Sequence, residues 1–411
     1  MKFNKWTLGL ASVGVVSLAS ATRADENKIS QLNTALSNTT ISGYVDVAAQ
    51  FTPNGTGYTP NYYYGQPGNS INLNVVDIAI DKPLDESPWA SGYHVEFFVG
   101  PVGNAMGLNN DIRQAYIALR TPVGNGIDWK IGIFDTIVGY ESTTSGNNPN
   151  YSKSYGYNME PTTHTGILGA YKINDIVSVQ AGVADTSYNG GGTYTASPNN
   201  MLYYPTWLGG VTLTAPDSFG WAKGATFSFD TILTANQVGG TSPYPSNGHS
   251  AQTYYAGVTL PTPIAALKFG AAFDYLNAAD VPGHAWDAAL YGTYQFNDKL
   301  SLNLRAEYYN GAPLNVSGAY NQNYNNTVYN YGYGTTQGGY EQAQELTATL
   351  QYALWANVLT RLEIRWDHAN HGNGYSNGQT TYNSGGESNY YSDGGLRQDA
   401  FLLAAQAIYT F

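Results

Sequence analysis

The sequence contains no cysteine, little charge and no long apolar stretch beyond its first residues. The absence of cysteine from all 411 residues excludes disulfides, Fe–S clusters and thiolate zinc sites. Charged residues make up only 11% of the chain, whereas soluble domains carry about 25% and place them on the surface. After Ala21 no segment approaches the roughly 20 apolar residues that a membrane helix needs. The sequence therefore argues against both a soluble domain and a helical membrane protein.

The first residues are typical of a secretory signal peptide. Lys2 and Lys5 precede an uncharged stretch from Trp6 to Ala21 that ends in Ala-Ser-Ala. This stretch is short and rich in Ala, Ser and Gly, which favours cleavage after Ala21, or after Ala24, over a retained membrane helix. The predicted organisation is a signal peptide over 1–21, a short periplasmic segment over 22–39 and a transmembrane β-barrel over 40–411.

The charge balance and the hydropathy narrow the class further. Without Lys2 and Lys5 the chain has 15 basic against 29 acidic residues, so nucleic acid is not an expected partner. The same acidic excess leads us to expect a preference for cations in any channel. Mean hydropathy is only −0.30, and besides helices lipid admits only closed barrels, in which every backbone N–H and C=O is paired. These features together indicate an outer-membrane barrel.

Apolar and polar residues alternate with a period of two along most of the chain, which is the pattern of a strand with two different faces. Leu300, Leu302 and Leu304, for example, alternate with Ser301 and Asn303. The pattern predicts about sixteen strands, within a range of fourteen to eighteen. The predicted strands are 40–51, 69–80, 92–100, 111–120, 127–134, 164–173, 176–184, 206–215, 225–235, 252–260, 266–276, 286–296, 300–309, 343–355, 358–368 and 398–411. The second of them requires a slip in the alternation between Val75 and Val76.

Long and short connections mostly alternate between these strands, as they do in membrane barrels with short periplasmic turns and long extracellular loops. Short turns follow the even strands. The longer segments follow odd strands and are rich in Gly, Asn, Tyr and Ser; they are 52–68, 135–163, 185–205, 236–251, 310–342 and 369–397. A soluble barrel would show the same alternation with its apolar face inward, but sixteen strands enclose more space than side chains can fill. We therefore predict an all-β transmembrane antiparallel barrel with a polar, watery lumen.

Residues 127–171 contain a distinctive series of short motifs. They are Ile131-Gly132-Ile133-Phe134-Asp135-Thr136, Gly139-Tyr140-Glu141, Asn150-Tyr151-Ser152-Lys153-Ser154, Glu160-Pro161 and His164-Thr165-Gly166 with Tyr171. In these residues and their order the segment resembles the OmpL-like family of β-barrel porins. The resemblance implies an outer-membrane porin, a passive pore for small hydrophilic solutes or ions, and it implies no active site. Membrane lipid, lipopolysaccharide and the copies of a homotrimer are the expected partners. The last strand ends on Phe411, which resembles the signal read by the barrel-assembly machinery.

Two groups of residues are candidates for the pore lining. Segment 135–163 carries charges of both signs among tyrosines, so we predict that it folds into the lumen and forms the constriction; an ordinary outward loop is the alternative. Opposed charges across a narrow pore would sort ions. The candidates in or beside this segment are Asp135, Glu141, Lys153, Glu160 and His164. The candidates at lumenal positions of the wall, which could also brace it as an ion-pair ladder, are Lys130, Arg305, Glu307, Glu345, Arg361, Glu363 and Arg365.

Other functions fit the sequence less well. His368 and His371 beside Asp367 suggest a metal site, but no helix aligns the pair, and we predict no metal or cofactor. His164 with nearby Ser and Thr offers parts of a hydrolase, yet no G-x-S-x-G or H-E-x-x-H motif is present. Loops such as 318–340, rich in Tyr, Asn and Gly, would suit an adhesin or receptor that stacks on sugars. A porin without catalysis is the function that we predict.

Overall fold

A computed structural model describes most of the predicted barrel. The described residues are 38–53, 69–106, 108, 111–184, 205–237, 249–278, 284–311, 327–328, 341–371, 379–382, 388–391 and 399–411. The predicted signal peptide and nearly all of the predicted periplasmic segment lie outside the described residues.

Sixteen antiparallel strands form one closed barrel, as predicted. Successive strands pair with each other, and β1 pairs with the last strand, so that Tyr44 lies opposite Thr410 and Phe51 lies opposite Leu403. Closure leaves no unpaired edge, which is the condition for spanning lipid with strands. The barrel strands are β1 (Thr40–Phe51), β2 (Ser70–Lys82), β3 (Ser91–Val99), β4 (Ile112–Thr121), β5 (Ile127–Asp135), β6 (Thr163–Lys172), β7 (Val177–Ala184), β8 (Thr206–Thr214), β9 (Thr226–Gln237), β10 (His249–Pro261), β11 (Leu267–Ala278), β12 (His284–Gln295), β13 (Leu300–Gly311), β15 (Glu341–Trp355), β16 (Val358–His371) and β19 (Asp399–Thr410).

The alternation in the sequence corresponds to an outer and an inner face of the barrel. On β12 the outward Leu290 is 64% exposed, whereas the neighbouring Ala289 and Tyr291 are buried inside. On β13 Leu304 likewise points outward and Arg305 is buried inside. An apolar outer surface and a polar inner surface are what a barrel in lipid requires. The sixteen predicted strands have ends within three residues of the observed ones, because this two-faced requirement holds along every strand.

Exposed aromatic side chains lie at the end of the barrel that has the short turns. Rings at this level suit the boundary between lipid and water, where membrane barrels carry a girdle of aromatic residues. The girdle residues in or beside the short turns are Trp89, Phe219, Trp221, Phe296 and Trp355. Because membrane barrels have their short turns on the periplasmic side, these residues form the periplasmic girdle.

One strand departs from regular pairing. Asp46 pairs with Val75 and Val47 pairs with Leu73, so Asn74 is an extra residue in β2. This bulge shifts the alternation from one face to the other. The slip that we predicted between Val75 and Val76 is therefore present, but it lies one residue earlier.

Several short elements were not predicted. Segments 310–342 and 369–397, predicted as loops, contain strands β14 (Thr327–Val328), β17 (Gln379–Tyr382) and β18 (Ser388–Tyr391), which pair with each other in a separate three-stranded sheet. Strands of two to four residues are too short to show a period. Two short helices, Pro101–Ala105 and Tyr155–Met159, and two 3-10 helices, Ser145–Asn147 and Asp217–Ala222, interrupt other connections. Within the described residues no helix has the length and apolar character needed to cross a membrane.

A charge placed on the outer face tests the assignment of the two faces. Leu290→Arg, at mid-height of β12, is expected to cost about 2–4 kcal/mol of unfolding free energy in lipid vesicles, because the guanidinium would lie in hydrocarbon. Phe296→Arg, beside the periplasmic turn, should cost only about 0–1 kcal/mol. Denaturant unfolding followed by Trp fluorescence measures both. Equal losses of unfolding free energy in the two variants would contradict the placement of Leu290 in the hydrocarbon and of Phe296 at its boundary.

Candidate pore constriction

The segment 136–162 between β5 and β6, which we call the inner loop, lies inside the barrel. Its main chain and side chains contact β13, β15 and β16, and these strands are diametrically opposite the β5–β6 pair in the ring. Only a segment that passes through the lumen can connect the two sides. Apart from the tip around Asn147, nearly all of its residues are buried.

Carboxylates on the wall bind amide groups of the inner loop. The two oxygens of Glu363 accept hydrogen bonds from the backbone N–H of Tyr151, at 2.6 Å, and of Ser152, at 2.9 Å. Glu307 accepts from the N–H of Tyr155 at 2.8 Å, where the helix Tyr155–Met159 begins. Negative charge at a helix N-terminus is favourable because the first N–H groups have no partner within the helix.

Arginines on the same wall bind carbonyl groups of the inner loop. Arg305 donates to the carbonyl oxygen of Ser152 at 2.7 Å, and Arg365 donates to that of Lys153 at 2.6 Å. Arg361 donates to the carbonyl oxygens of residues 145, at 3.0 Å, and 148. The planar guanidinium has several donors in fixed directions, which suits two carbonyls of one bent chain.

The same arginines are neutralised by carboxylates from the loop and the wall. Arg305 lies 2.7 Å from Glu141 of the inner loop and 3.2 Å from both Glu307 and Glu345. Arg365 lies 2.7 Å from Asp367. All these side chains are at most 1% exposed. Buried charges are tolerated when they are paired and hydrogen-bonded. Every charge of this network is paired, and Glu307 Oε2 is the one oxygen of these described side chains that makes no hydrogen bond.

Lys153 lies within the loop and faces its own main chain. Its Nζ donates to the carbonyl oxygen of Ser142 at 2.5 Å and lies 4.7 Å from the centre of the Tyr157 ring. Burial lowers the pKa of Lys153 to about 8, and the Glu141 carboxylate opposes that shift. The lysine therefore braces the fold of the inner loop and does not project into open water.

Apolar contacts hold the first part of the inner loop. Ile137, Val138 and Tyr140 pack in a buried cluster with side chains from β6 to β12, and the ring of Tyr140 stacks on that of Tyr291 with 4.0 Å between centres. Gly139 has φ of +114°, which disfavours any side chain, and a Cβ there would meet the Glu160 carboxylate. This glycine allows the chain to turn into the lumen at close range to Glu160.

A second apolar cluster closes the space on the other side of the inner loop. Val102 and Met106, in and after the helix Pro101–Ala105, pack with Tyr151 of the inner loop and with Phe98. The cluster continues on β1, β2 and β19. Gln50 of β1 donates to the hydroxyl of Tyr151 at 2.7 Å. The tip of the inner loop is therefore fixed from both sides.

Several charges of the inner wall on β2 to β5 keep part of their side chain exposed. Asp81 is 35% and Asp135 is 34% exposed at the side chain, and His94 is 17% exposed, 3.1 Å from Asp81. The ring of His94 stacks on Tyr116 at 5.3 Å, and the Lys130 ammonium lies 5.0 Å over the same Tyr116 ring. We call Asp81, His94, Tyr116, Lys130 and Asp135 the open strip. No carboxylate in the described part of the chain forms an ion pair with Lys130.

The structure brings most of the predicted site residues together in two places. The residues at the contact between the inner loop and the far wall are Glu141, Lys153, Glu160, Arg305, Glu307, Glu345, Arg361, Glu363 and Arg365. Asp135 and Lys130 belong instead to the open strip. His164 is fully buried at the start of β6, where its Nε2 lies 3.1 Å from the Thr136 hydroxyl. Sequence analysis missed Arg113, which lies 2.6 Å from Glu96 and 2.5 Å from Asp135, because β4 shows no regular alternation at that point.

The histidines considered for a metal site have other surroundings. His368 lies in β16, not in a loop, and its Nδ1 is 2.9 Å from Asp399 of β19. His371 ends the same strand. Within the described ranges no group of three or more His, Cys, Asp or Glu is arranged to hold a metal ion.

A closed sixteen-strand barrel with a loop folded into its lumen defines a porin-type protein of the bacterial outer membrane. The chain belongs to the family described as "Putative beta-barrel porin-2, OmpL-like", whose model matches residues 38–411. The resemblance seen in residues 127–171 is thereby confirmed. None of the curated proteins matches this chain.

Solved outer-membrane structures share the fold at low sequence identity. The anion-selective porin from Comamonas acidovorans has a TM-score of 0.57 and 11% identity, over 91% of this chain and 99% of that one. Salmonella typhi OmpF, in complex with daunomycin, has a TM-score of 0.56 and 12% identity, over 91% and 97% of the two chains. In vitro folded Vibrio cholerae OmpT, in its trimer form, has a TM-score of 0.53 and 13% identity, over 91% and 99%.

Removal of the Glu363 carboxylate tests the attachment of the inner loop. Glu363→Ala leaves the buried N–H groups of Tyr151 and Ser152 without acceptors, which costs about 1–3 kcal/mol. We expect hydrogen exchange at these two amides to accelerate roughly 5- to 150-fold, measured by mass spectrometry in detergent. Asp128→Asn is the matched control, because Asp128 is a buried lumenal carboxylate that pairs with Arg120 of β4. Unchanged exchange in Glu363→Ala would refute this attachment.

Proposed function

We propose that this protein is a passive diffusion channel for small hydrophilic solutes or ions, with the inner loop as its constriction. The observation that carries the proposal is the passage of this loop across a barrel whose sixteen strands would otherwise leave a wide aqueous channel. Structural relatives that are porins or channels support the same class of function. The loop would narrow the lumen, and its charged attachments would keep it in one position.

The solute path runs along the open strip, on the β2–β5 side of the inner loop. Two observations support this course. The far wall is covered by the loop, with Arg305 and Glu345 at 0% side-chain exposure, whereas Asp81 and Asp135 keep about a third of theirs. The ammonium of Lys130 and the carboxylates of Asp81 and Asp135 would then contact passing ions along a narrow path.

Weak cation preference is the expected selectivity. Within the described residues the inner face carries more carboxylates than basic groups, and Asp81 and Asp135 on the open strip keep about a third of their side chains exposed. Lys130 is the opposing charge on the open strip, because it has an aromatic neighbour and no acidic partner there. Its ammonium would slow cations and attract anions.

The burial of His164 supports a non-enzymatic role. His164 is the candidate base that the sequence offers for a hydrolase. In the structure its Nε2 lies 3.1 Å from the Thr136 hydroxyl and the side chain has no exposed surface. A nucleophile and base need access to substrate. The pair instead fixes the start of the inner loop to β6.

The expected partners and processing fit this role. We propose export through the signal peptide 1–21, insertion by the barrel-assembly machinery acting on the strand that ends at Phe411, and a surround of membrane lipid and lipopolysaccharide. A homotrimer is supported by the trimer form of Vibrio cholerae OmpT. Recognition at the cell surface is a second candidate function, because β14, β17 and β18 form an ordered sheet from two long segments.

Shortening the inner loop tests its role as the constriction. Deletion of 142–150 removes the tip and its attachments, so single-channel conductance in planar bilayers should rise several-fold as the lumen widens toward that of an open barrel. Deletion of 189–197, a stretch of equal length in another long segment, is the control and should leave conductance unchanged. Folded protein without any conductance would refute the channel function itself, and equal conductance of both variants would refute the constriction.

Neutralising Lys130 tests the course of the path. Lys130→Gln should shift the reversal potential in a salt gradient toward stronger cation preference, because the one cation of the open strip without an acidic partner in the described residues is removed. Lys223→Gln makes the same charge change on the exposed 3-10 helix at a periplasmic turn, and it should have no effect. An unchanged reversal potential in Lys130→Gln would place the path elsewhere.

A further inference from the structure

Three carboxyl groups meet where the inner loop returns past β11 and β12. Asp274 of β11 lies directly opposite Asp287 of β12 in the strand pairing. Glu160 of the inner loop, four residues after Gly156, is buried close to the Asp274 carboxyl. Gly156 lies against both aspartates, since a Cβ there would be 2.5 Å from Asp274 Oδ2 and 3.2 Å from Asp287 Oδ2. All three acidic side chains are buried.

One member of this cluster has no hydrogen-bond partner among the described residues. Asp287 has 0% exposure, and neither of its oxygens makes a hydrogen bond in the described structure; Asp274 Oδ1 is also without one. The nearby N–H of Gly156 faces Asp287 without reaching hydrogen-bond geometry. Like charges directly opposite each other on a sheet repel, and burial without partners increases the cost. Something must neutralise these groups while the inner loop is in place.

No neighbouring cation is free to do so. The nearest guanidinium, that of Arg305, already lies within 3.2 Å of three carboxylates. The other titratable groups that face the cluster are acidic or phenolic: Tyr255 on β10, Glu307 on β13, Glu345 on β15 and Glu141 of the inner loop. Two neighbouring carboxyls can share a hydrogen bond only when one of them carries a proton.

We infer that Glu160, Asp274 and Asp287 form a proton-binding latch, which holds the inner loop on β11 and β12 while protonated and releases it when the carboxyls ionise. The latch goes beyond the proposed function and depends on it only where conductance is the readout. A metal ion is a weaker choice of ligand, because the described residues include no group arranged as a metal site. The experiment below therefore also tests whether divalent cations bind at the cluster.

The direction of the pH effect follows from linkage. Burial raises the pKa of Glu160 well above its ordinary range, and the neighbouring Asp274 raises it further. The attached loop therefore binds more protons than the released loop, so its attachment is complete at low pH and weakens as pH rises, by up to roughly tenfold per pH unit for each proton. Lys153, whose pKa is lowered to about 8, acts in the opposite direction, but only near and above pH 8. The test therefore uses the interval from pH 5 to 7.5, which lies below the pKa of Lys153.

A single thiol can report this release, because the protein has no cysteine of its own. Met159→Cys places the thiol at a buried position beside Glu160. Its rate of alkylation in detergent should be low at pH 5 and rise by at least tenfold toward pH 7.5, after division by the rate for Asn147→Cys at the exposed tip, which corrects for thiolate formation. A normalised rate that stays flat would overturn the latch.

Amide variants identify the groups involved. In the Met159→Cys background, Asp274→Asn, Asp287→Asn and Glu160→Gln, which mimic the protonated forms, should keep alkylation slow at pH 7.5. Asp230→Asn is the control, since Asp230 is a buried carboxyl on the same wall that accepts from Gln180 of β7 and not from the loop; it should keep the full pH response. The shift between boiled and unboiled samples on gels verifies that each variant is folded. A full response in all three cluster variants would overturn the latch.

Two further arms separate the alternatives. If millimolar Ca²⁺ or Mg²⁺ restores slow alkylation at pH 7.5 and chelation removes it at pH 6, the ligand is a divalent cation and the proton latch is wrong. Conductance recorded in parallel should rise from pH 5 to 7.5 in the cysteine-free protein. A pH-dependent alkylation rate without conductance at any pH would refute the channel and leave the latch standing, whereas normal conductance with flat alkylation would refute the latch alone.

Discussion

Charged side chains of β13, β15 and β16 bind the main chain of the inner loop, and the arrangement of the lumen depends on this interaction. A loop withdrawn from water loses hydration at every N–H and C=O, and each group left unpaired costs about 1–3 kcal/mol. Glu363 and Glu307 supply acceptors for the N–H groups, and Arg305 supplies donors for the carbonyls. The loop in turn covers these charges, so wall and loop each satisfy groups that burial by the other would leave unpaired.

This use of the wall charges changes what they can do for permeation. A guanidinium that donates to loop carbonyls and faces carboxylates at 2.7–3.2 Å has little field left to act on a passing ion. In the proposed channel, selectivity would depend on side chains that the loop leaves uncovered, such as Asp81 and Asp135. Bracing and selecting, two roles that the sequence allowed for the same residues, would then be carried by opposite sides of the barrel.

The sequence predicts the barrel well because lipid and lumen impose a two-faced pattern on every strand. Leu304 and Arg305 reveal their faces by type alone, and the closure of the ring follows from the ban on unpaired edges in lipid. The site is harder to predict. Glu363 binds the backbone N–H groups of Tyr151 and Ser152. Because nearly every residue has such a group, the sequence contains no partner side chain that would reveal this contact. The two short helices and the strands β14, β17 and β18 span too few residues to show a period.

The inner loop is attached to the wall by arginine–carbonyl contacts and by the carboxyl cluster, and these two attachments differ in their response to pH. Guanidinium groups keep their charge throughout the physiological range, so the contacts of Arg305 and Arg365 with the carbonyls of the loop are insensitive to protons. In the latch that we infer, the contact of Glu160 with Asp274, in contrast, holds only while a proton is bound. Loss of that proton would free the returning half of the loop beside β11 and β12, while the guanidinium contacts still hold residues 152 and 153. A lumen built in this way can widen without expelling its loop, because the attachments that fix the position of the loop are not those that respond to pH.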